Sequence, residues 1–140
     1  MAHYFSLAEA SRILPEVEPV LLSLRNLQTR ALQTKERVDL LWQRLEAGER
    51  VLDEIASVQS RLDADVAEMR SLVERLEALG VILRDVGMGL IDFPAIVVET
   101  EFYLCWRLGE DSIQFWHGVD EGIGGRKPLW TMPGGRPNYA

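Results

Sequence analysis

His117 closes the stretch EFYLCWRLGEDSIQFWH, residues 101–117, which also holds two of the four tryptophans and the single cysteine. Glu110, Asp111, Asp120 and Glu121 lie close to it in sequence. An imidazole among carboxylates is a donor set for a divalent Zn, Fe or Mn ion. The same ring could serve as a general base. It could also do no chemistry and simply satisfy a backbone carbonyl or a carboxylate at the rim of a core. The only other histidine is His3, at the far end of the chain, so no metal-ligand spacing is present. Cys105 has no Cys or His at catalytic spacing and reads as a small buried hydrophobe. Being alone, it allows no intrachain disulfide. GIGGRKP, residues 122–128, offers flexible N–H groups with Arg126 and Lys127. Such a loop can hold an anion or act as a partner arm. It lacks the spacing and the strand-to-helix setting of a nucleotide loop.

These residues need elements to position them. SLAEA carries Ser6 with Glu9 three residues on, the capping-box spacing. Apolar residues then recur in steps of three and four: Ala10, Ile13, Val17, Val20, Leu24, Leu27, Ala31, Val38, Leu41 and Leu45, with polar Thr34 in the same seam. Pro15 and Pro19 lack the N–H that a helix interior uses. They predict a short helix near 7–14 leading into a long one near 16–46. Gly48 supplies a turn. A second helix follows on Val51, Ile55, Val58, Leu62, Met69, Leu72, Leu76 and Leu79, interrupted by Asp65 and ended by Gly80. Asp65 should lie within a turn of Ala31 and Thr34, where a polar residue fixes register or holds water. Two rods of roughly thirty residues, about 45 Å each, joined by a short turn run antiparallel. Leu21, Leu22, Leu32, Leu40 and Trp42 widen the apolar face beyond one seam. The expected cover is a small sheet plus a second copy of the chain, giving a homodimeric four-helix bundle.

After Gly80 the composition turns to β-branched and aromatic residues with frequent Gly and Pro. Strands are predicted over 81–86, 90–98, 101–108 and 113–117. A Glu99–Thr100 turn would set Asp92 across from Arg107 as a cross-strand ion pair. A 109–112 turn would pair Trp106 with Phe115 and Leu104 with His117, placing His117 on the apolar face toward the helices. The fold class is therefore α+β. A coiled-coil-like helical hairpin (7–79), an antiparallel β-meander (81–117) and a Gly-rich loop (118–129) form one domain, followed by a flexible tail (130–140).

Composition narrows the function. With 15 Lys plus Arg against 22 Asp plus Glu, the net charge is −7, which argues against nucleic-acid or anionic-membrane binding. MAHYFSLAEA has no signal-peptide pattern. No apolar run approaches the ~18 residues of a membrane span, so a cytoplasmic protein is expected. A di-iron bundle would use Glu-x-x-His on paired helices. Neither helix contains a histidine, and Glu74 and Glu77 have the spacing with the wrong second ligand.

Three stretches, FSLAEASRILPEV, LEALGVILRDVGMGLIDFPA and YLCWRLGEDSIQFWHGVDEGIGGRKPL, together resemble the bacterial domain of unknown function 2203 over about residues 5–129. The resemblance implies a small cytoplasmic bacterial protein with a long helical hairpin, ferritin-like and metal-binding. It singles out Glu9, Asp92, Arg107, Glu110, His117 and Arg126. On that reading Glu9, Glu110 and His117 are the metal candidates, and Asp92, Arg107 and Arg126 would contact a small anionic ligand. The other functional class is a non-enzymatic interaction or scaffold module, whose helices bind a protein partner and whose polar strand residues are structural. Nothing in the sequence assigns a nucleophile or substrate, so whether the chain is an enzyme stays open at this level.

Overall fold

Ser6 starts the first helix as its N-cap. Its hydroxyl accepts from Glu9 N at 3.1 Å, and the Glu9 carboxylate accepts from Ser6 N at 3.4 Å, so the capping box is closed. The computed structural model describes residues 3–134. Helix α1 (Leu7–Glu46) is followed by α2 (Leu52–Ala78), then β1 (Ile82–Asp85), β2 (Leu90–Val97), β3 (Thr100–Arg107), β4 (Phe115–Gly118) and β5 (Lys127–Pro128). Short 3-10 turns occupy Ile123–Gly125 and Leu129–Thr131.

Helix α1 is one unbroken rod, contrary to the expected break near residue 15, although both prolines lie inside it. Ser11, Pro15 and Pro19 are all exposed. Water can therefore satisfy the Ser11 and Pro15 carbonyls that the prolines leave without a donor. Leu14, Val17, Val20 and Leu21 on the opposite side are buried and anchor this stretch of the helix on the core. The far end of α2 stops as the sequence suggests. Gly80 adopts φ +85, its N–H donates to Glu77 O at 2.9 Å, and Val81 N donates to Leu76 O at 3.1 Å, the two bonds of a Schellman cap.

The five strands form one antiparallel meander in the order β1-β2-β3-β4-β5. Two registers differ from expectation. The β2–β3 turn falls at Val98–Glu99, with Val97 opposite Thr100 and both turn residues at positive φ. This two-residue shift leaves every side chain on its expected face but sets Asp92 opposite Cys105 rather than Arg107. Between β3 and β4 the slip is one residue. Cys105 pairs with Phe115, Leu104 with Trp116 and Tyr103 with His117. Since side chains alternate with period two, this moves His117 and Phe115 to the face away from the helices and Trp116 toward the core. The fifth strand, inside the expected Gly-rich loop, pairs Phe115 with Pro128 and Trp116 with Lys127.

The helix-facing side of the sheet carries Ile91, Phe93, Ala95, Phe102, Leu104 and Trp106, packed on the near half of the hairpin. Trp106 is fully buried, and its ring N–H donates to Glu110 O at 3.1 Å. At ~25 cal/mol per Å², burying a ring system of roughly 200 Å² contributes on the order of 5 kcal/mol before entropy. A second, separate cluster of Val38, Leu41, Val51, Ile55 and Val58 fills the far end of the hairpin. Between the two, across residues 28–37 and 59–69, only Asp65 is buried. Its carboxylate takes Arg30, the neighbour of Ala31, in a fork, Nε to Oδ2 at 3.0 Å and Nη2 to Oδ1 at 2.7 Å. The Arg30 hydrogen bonds hold the Asp65 carboxyl below its usual range. No described helix is long and apolar enough to cross a membrane. In the segment read as a tail, Trp116 Nε1 donates to Thr131 Oγ1 at 2.9 Å and Met132 packs on the core. Residues 135–140 lie outside the described residues.

Candidate metal centre

A carboxylate in the middle of a strand as apolar as LIDFPAIV is costly unless it is paired. Asp92 is fully buried, and the strand register explains how it is paired. The neighbouring strand places Cys105 directly opposite it. One strand further, the slipped register puts His117 opposite Tyr103, on the same face as Asp92 and Cys105 and diagonal to Cys105. His117 Nε2 lies 2.8 Å from Asp92 Oδ2, and its Nδ1 lies 2.9 Å from Gly118 O. One ligand atom each from Asp92, Cys105 and His117 converge within 4.8 Å of one another, and all three residues are buried.

Both ring nitrogens of His117 face oxygen acceptors. An Nδ1–H donating to the Gly118 carbonyl turns Nε2 toward the carboxylate. In that orientation Nε2 is directed at the carboxylate, where it can hold either a hydrogen bond or a metal ion. Asp92 Oδ2 also accepts from Arg84 Nε at 2.7 Å. Asp92 Oδ1 is buried with no hydrogen-bond partner among the described residues, the kind of orphan that native interiors rarely tolerate. Burial pushes the Cys105 thiol up to about 12, with the Asp92 charge adding to it and Arg126 opposing it.

Two cation–ring stacks flank the triad. Arg84 Cζ sits 4.8 Å from the Tyr103 ring centroid, and Arg126 Cζ 4.1 Å from that of Phe115. The loop after β4 closes the end of the site. Glu121 accepts from Gly118 N at 3.2 Å and from Lys127 Nζ at 2.5 Å. A Cβ on Gly118 or Gly125 would approach the Glu121 carboxylate to 2.7 or 2.5 Å, so the clasp requires glycine at both ends.

The residues named from sequence are scattered around this centre. His117 and Asp92 meet in it. Glu110 accepts from Arg107 N at 2.6 Å and from Arg126 Nη2 at 2.7 Å, so its carboxylate binds a guanidinium. Arg107 points its side chain to solvent and stands opposite Leu90. Glu9 serves the α1 cap, and α1 packs on the other face of the sheet. Cys105 and Arg84 were not singled out as site residues. Strand alternation already placed Cys105 on Asp92's face, and Arg84 stands in the preceding strand, so a search for partners of Asp92 would have found both.

The mixed nitrogen, oxygen and thiol donors suit Zn or Fe(II) better than an oxygen-preferring ion such as Mn. The anchored Nδ1 leaves Nε2 as the ligand atom, and the unsatisfied Oδ1 supplies a free carboxylate oxygen. The residues present therefore fit such an ion. Against protein families, the model described as "Uncharacterized conserved protein (DUF2203)" matches residues 3–129. Comparison with curated proteins and with solved structures returned no match.

Proposed function

The chain belongs to the DUF2203 family, and on that footing we propose that it binds one divalent metal ion, Zn(II) foremost, through Asp92, Cys105 and His117. The observation that carries the reading is the buried, unpartnered Asp92 Oδ1 beside two further donors from two other strands. The ion would supply a Lewis-acidic tie among β2, β3 and β4. The protein's part is to hold Nε2 forward through the Gly118 carbonyl and to offset the carboxylate with Arg84. With all three donors buried, a stabilising role is favoured over turnover. Binding releases the proton held by the thiol, so affinity falls as pH falls. The test is metal analysis of tag-free protein together with melting in chelator and in Zn. The expected result is about one ion per chain, lost in His117→Ala and in Cys105→Ser. Background metal and a melting temperature that Zn leaves unmoved would sink it. The small-anion reading has less support, because Glu110 already occupies Arg126 and Arg107 faces solvent.

A second reading concerns the rods. A groove of about 530 Å³ runs between the helices, lined by Ala31, Leu32, Leu62, Val66 and Met69 with Lys35 and Asp63 on its rims. Leu32, Leu40, Trp42 and Leu52 are more than 40% exposed. This apolar strip, lined by both helices and flanked by exposed leucines, supports pairing of two copies into a four-helix bundle. Light scattering should return a dimer mass, and Leu32→Glu with Val66→Glu a monomer. A wild-type monomer at high concentration removes the reading.

A further inference from the structure

Beside the triad lies a second orphan of opposite polarity. Arg126 Nε is buried and has no acceptor among the described residues. Its guanidinium is nevertheless fixed on two other sides. Nη2 donates to Glu110 Oε1 at 2.7 Å, and Glu110 is itself tied to the Arg107 backbone N–H. The guanidinium carbon stacks 4.1 Å from the Phe115 ring centroid. Phe115 is the residue directly opposite Cys105, so the stack sets the guanidinium on the face that carries the sulfur, near enough for its charge to oppose the rise of the thiol's pKa. A tethered arginine held against a neutral thiol has little to gain there, since S–H sulfur is a weak acceptor. A thiolate is a different partner: a charge-assisted bond to it is about twice as strong as a neutral one.

We infer that Arg126 is a positioning residue for metal uptake, whose Nε–H donates to the Cys105 sulfur once that sulfur is a metal-bound thiolate. The inference rests on the metal reading above and adds the residue that makes Cys105 usable as a ligand. On binding, the S–H bond breaks, its proton leaves to solvent, and the sulfur lone pair forms the bond to the ion. No electron is transferred and no co-reactant is needed. Arg126 Nε–H then gains the acceptor it lacks, Glu110 and Phe115 having held it in place beforehand. Lysine would keep the positive charge but not the planar fork that serves Glu110 and the sulfur together.

The probe is Co(II), read by its sulfur-to-cobalt charge-transfer band, with Zn affinity measured by chelator competition. Arg126→Gln is expected to weaken Zn binding about 10- to 100-fold, the usual effect of losing an outer-shell partner. It should also move the band to lower energy, because the sulfur no longer shares its charge with an N–H. Arg126→Lys should recover only part of the affinity. Glu110→Gln should weaken binding in the same direction by loosening the tether. In a Cys105→Ser background, Arg126→Gln should add nothing. Wild-type affinity and an unmoved band in Arg126→Gln would overturn the inference and leave the metal site standing. Full recovery by lysine would reduce Arg126 to a point charge and also overturn it. A wild-type chain that gives no cobalt band and takes up no Zn would overturn both together. Should Arg126→Gln fail to fold, Arg126→Lys and Glu110→Gln decide the matter by the same readouts.

Discussion

Both faces of the five-stranded sheet are shut off from water at their centres, but by different chemistry. The face on the helices is closed by volume, with Phe93, Leu104 and Trp106 packed on Leu14, Val17, Leu21 and Leu24. The outer face is closed by charge and by stacked rings, with Asp92 between Arg84 and His117 and guanidinium groups lying over Tyr103 and Phe115. The first arrangement tolerates apolar side chains of about the right size. The second works only if every partner is present, since a half-satisfied buried network is worse than an apolar one. The packed face therefore accounts for the larger share of the stability, and the charged face is the one on which binding is proposed.

The largest effect should come from the packed face. Trp106→Ala should cost about 3–5 kcal/mol by cavity formation, read by urea unfolding. Asp92→Ala should cost somewhat less without metal, about 3 kcal/mol, because half-exposed Arg84 can turn back to water. If Asp92→Ala proves the more damaging of the two, the assignment of stability to the packed face is wrong. Next, Zn at a hundred times its dissociation constant should add about 2.7 kcal/mol to the wild type and nothing to His117→Ala. An equal gain in both would detach the ion from the charged face. A smaller change tests the turn that sets the β2–β3 register. Val98 is 91% exposed and holds φ +45, beside Glu99 at φ +65, a geometry that Asn-Gly adopts without strain. Val98→Asn with Glu99→Gly should stabilise by about 1 kcal/mol and leave metal affinity unchanged; a change in affinity would mean that the turn also tunes the site. Smallest is the acid response of the hairpin. The Asp65 carboxyl titrates below its ordinary value because Arg30 holds it charged. Its contribution is complete above that ordinary value and is lost as pH falls through the lowered folded one. Asp65→Asn should flatten this part of the acid-unfolding profile, and a profile that keeps its full slope would exclude the pair as a contributor.

Patterns with a short period were legible in the chain. The three-four spacing named the seam residues Val17, Val20, Leu24, Val38, Leu41, Ile55, Val58 and Leu76, all buried. Alternation in β2 and β3 named the residues under the helices. Serine and glycine marked both helix ends that they cap. Registers depend on where a loop puts its extra residue, and composition does not say that. Two residues either way at Val98 left the faces unchanged. One residue between Arg107 and Phe115 reversed them, so His117 was expected under the helices and stands beside Asp92 instead. Proline misled for a related reason: its missing N–H costs little when the orphaned carbonyl faces water, as at Ser11 and Pro15. The candidate centre was half visible, in His117 and Asp92. Cys105 was read by its loneliness in sequence, whereas its neighbours across the strands define it.

The hairpin holds two apolar clusters with a stretch between them where only a carboxylate is covered. Cooperativity travels through shared buried contacts, and here the one buried group is a forked carboxylate among half-buried Ala31, Thr34 and Leu62. The distal tip, around Val38 to Val58, is therefore expected to open as a foldon of its own. Its amides should exchange with deuterium through a partial opening that leaves the sheet intact, so the molecule can loosen at one end while its polar centre stays sealed at the other.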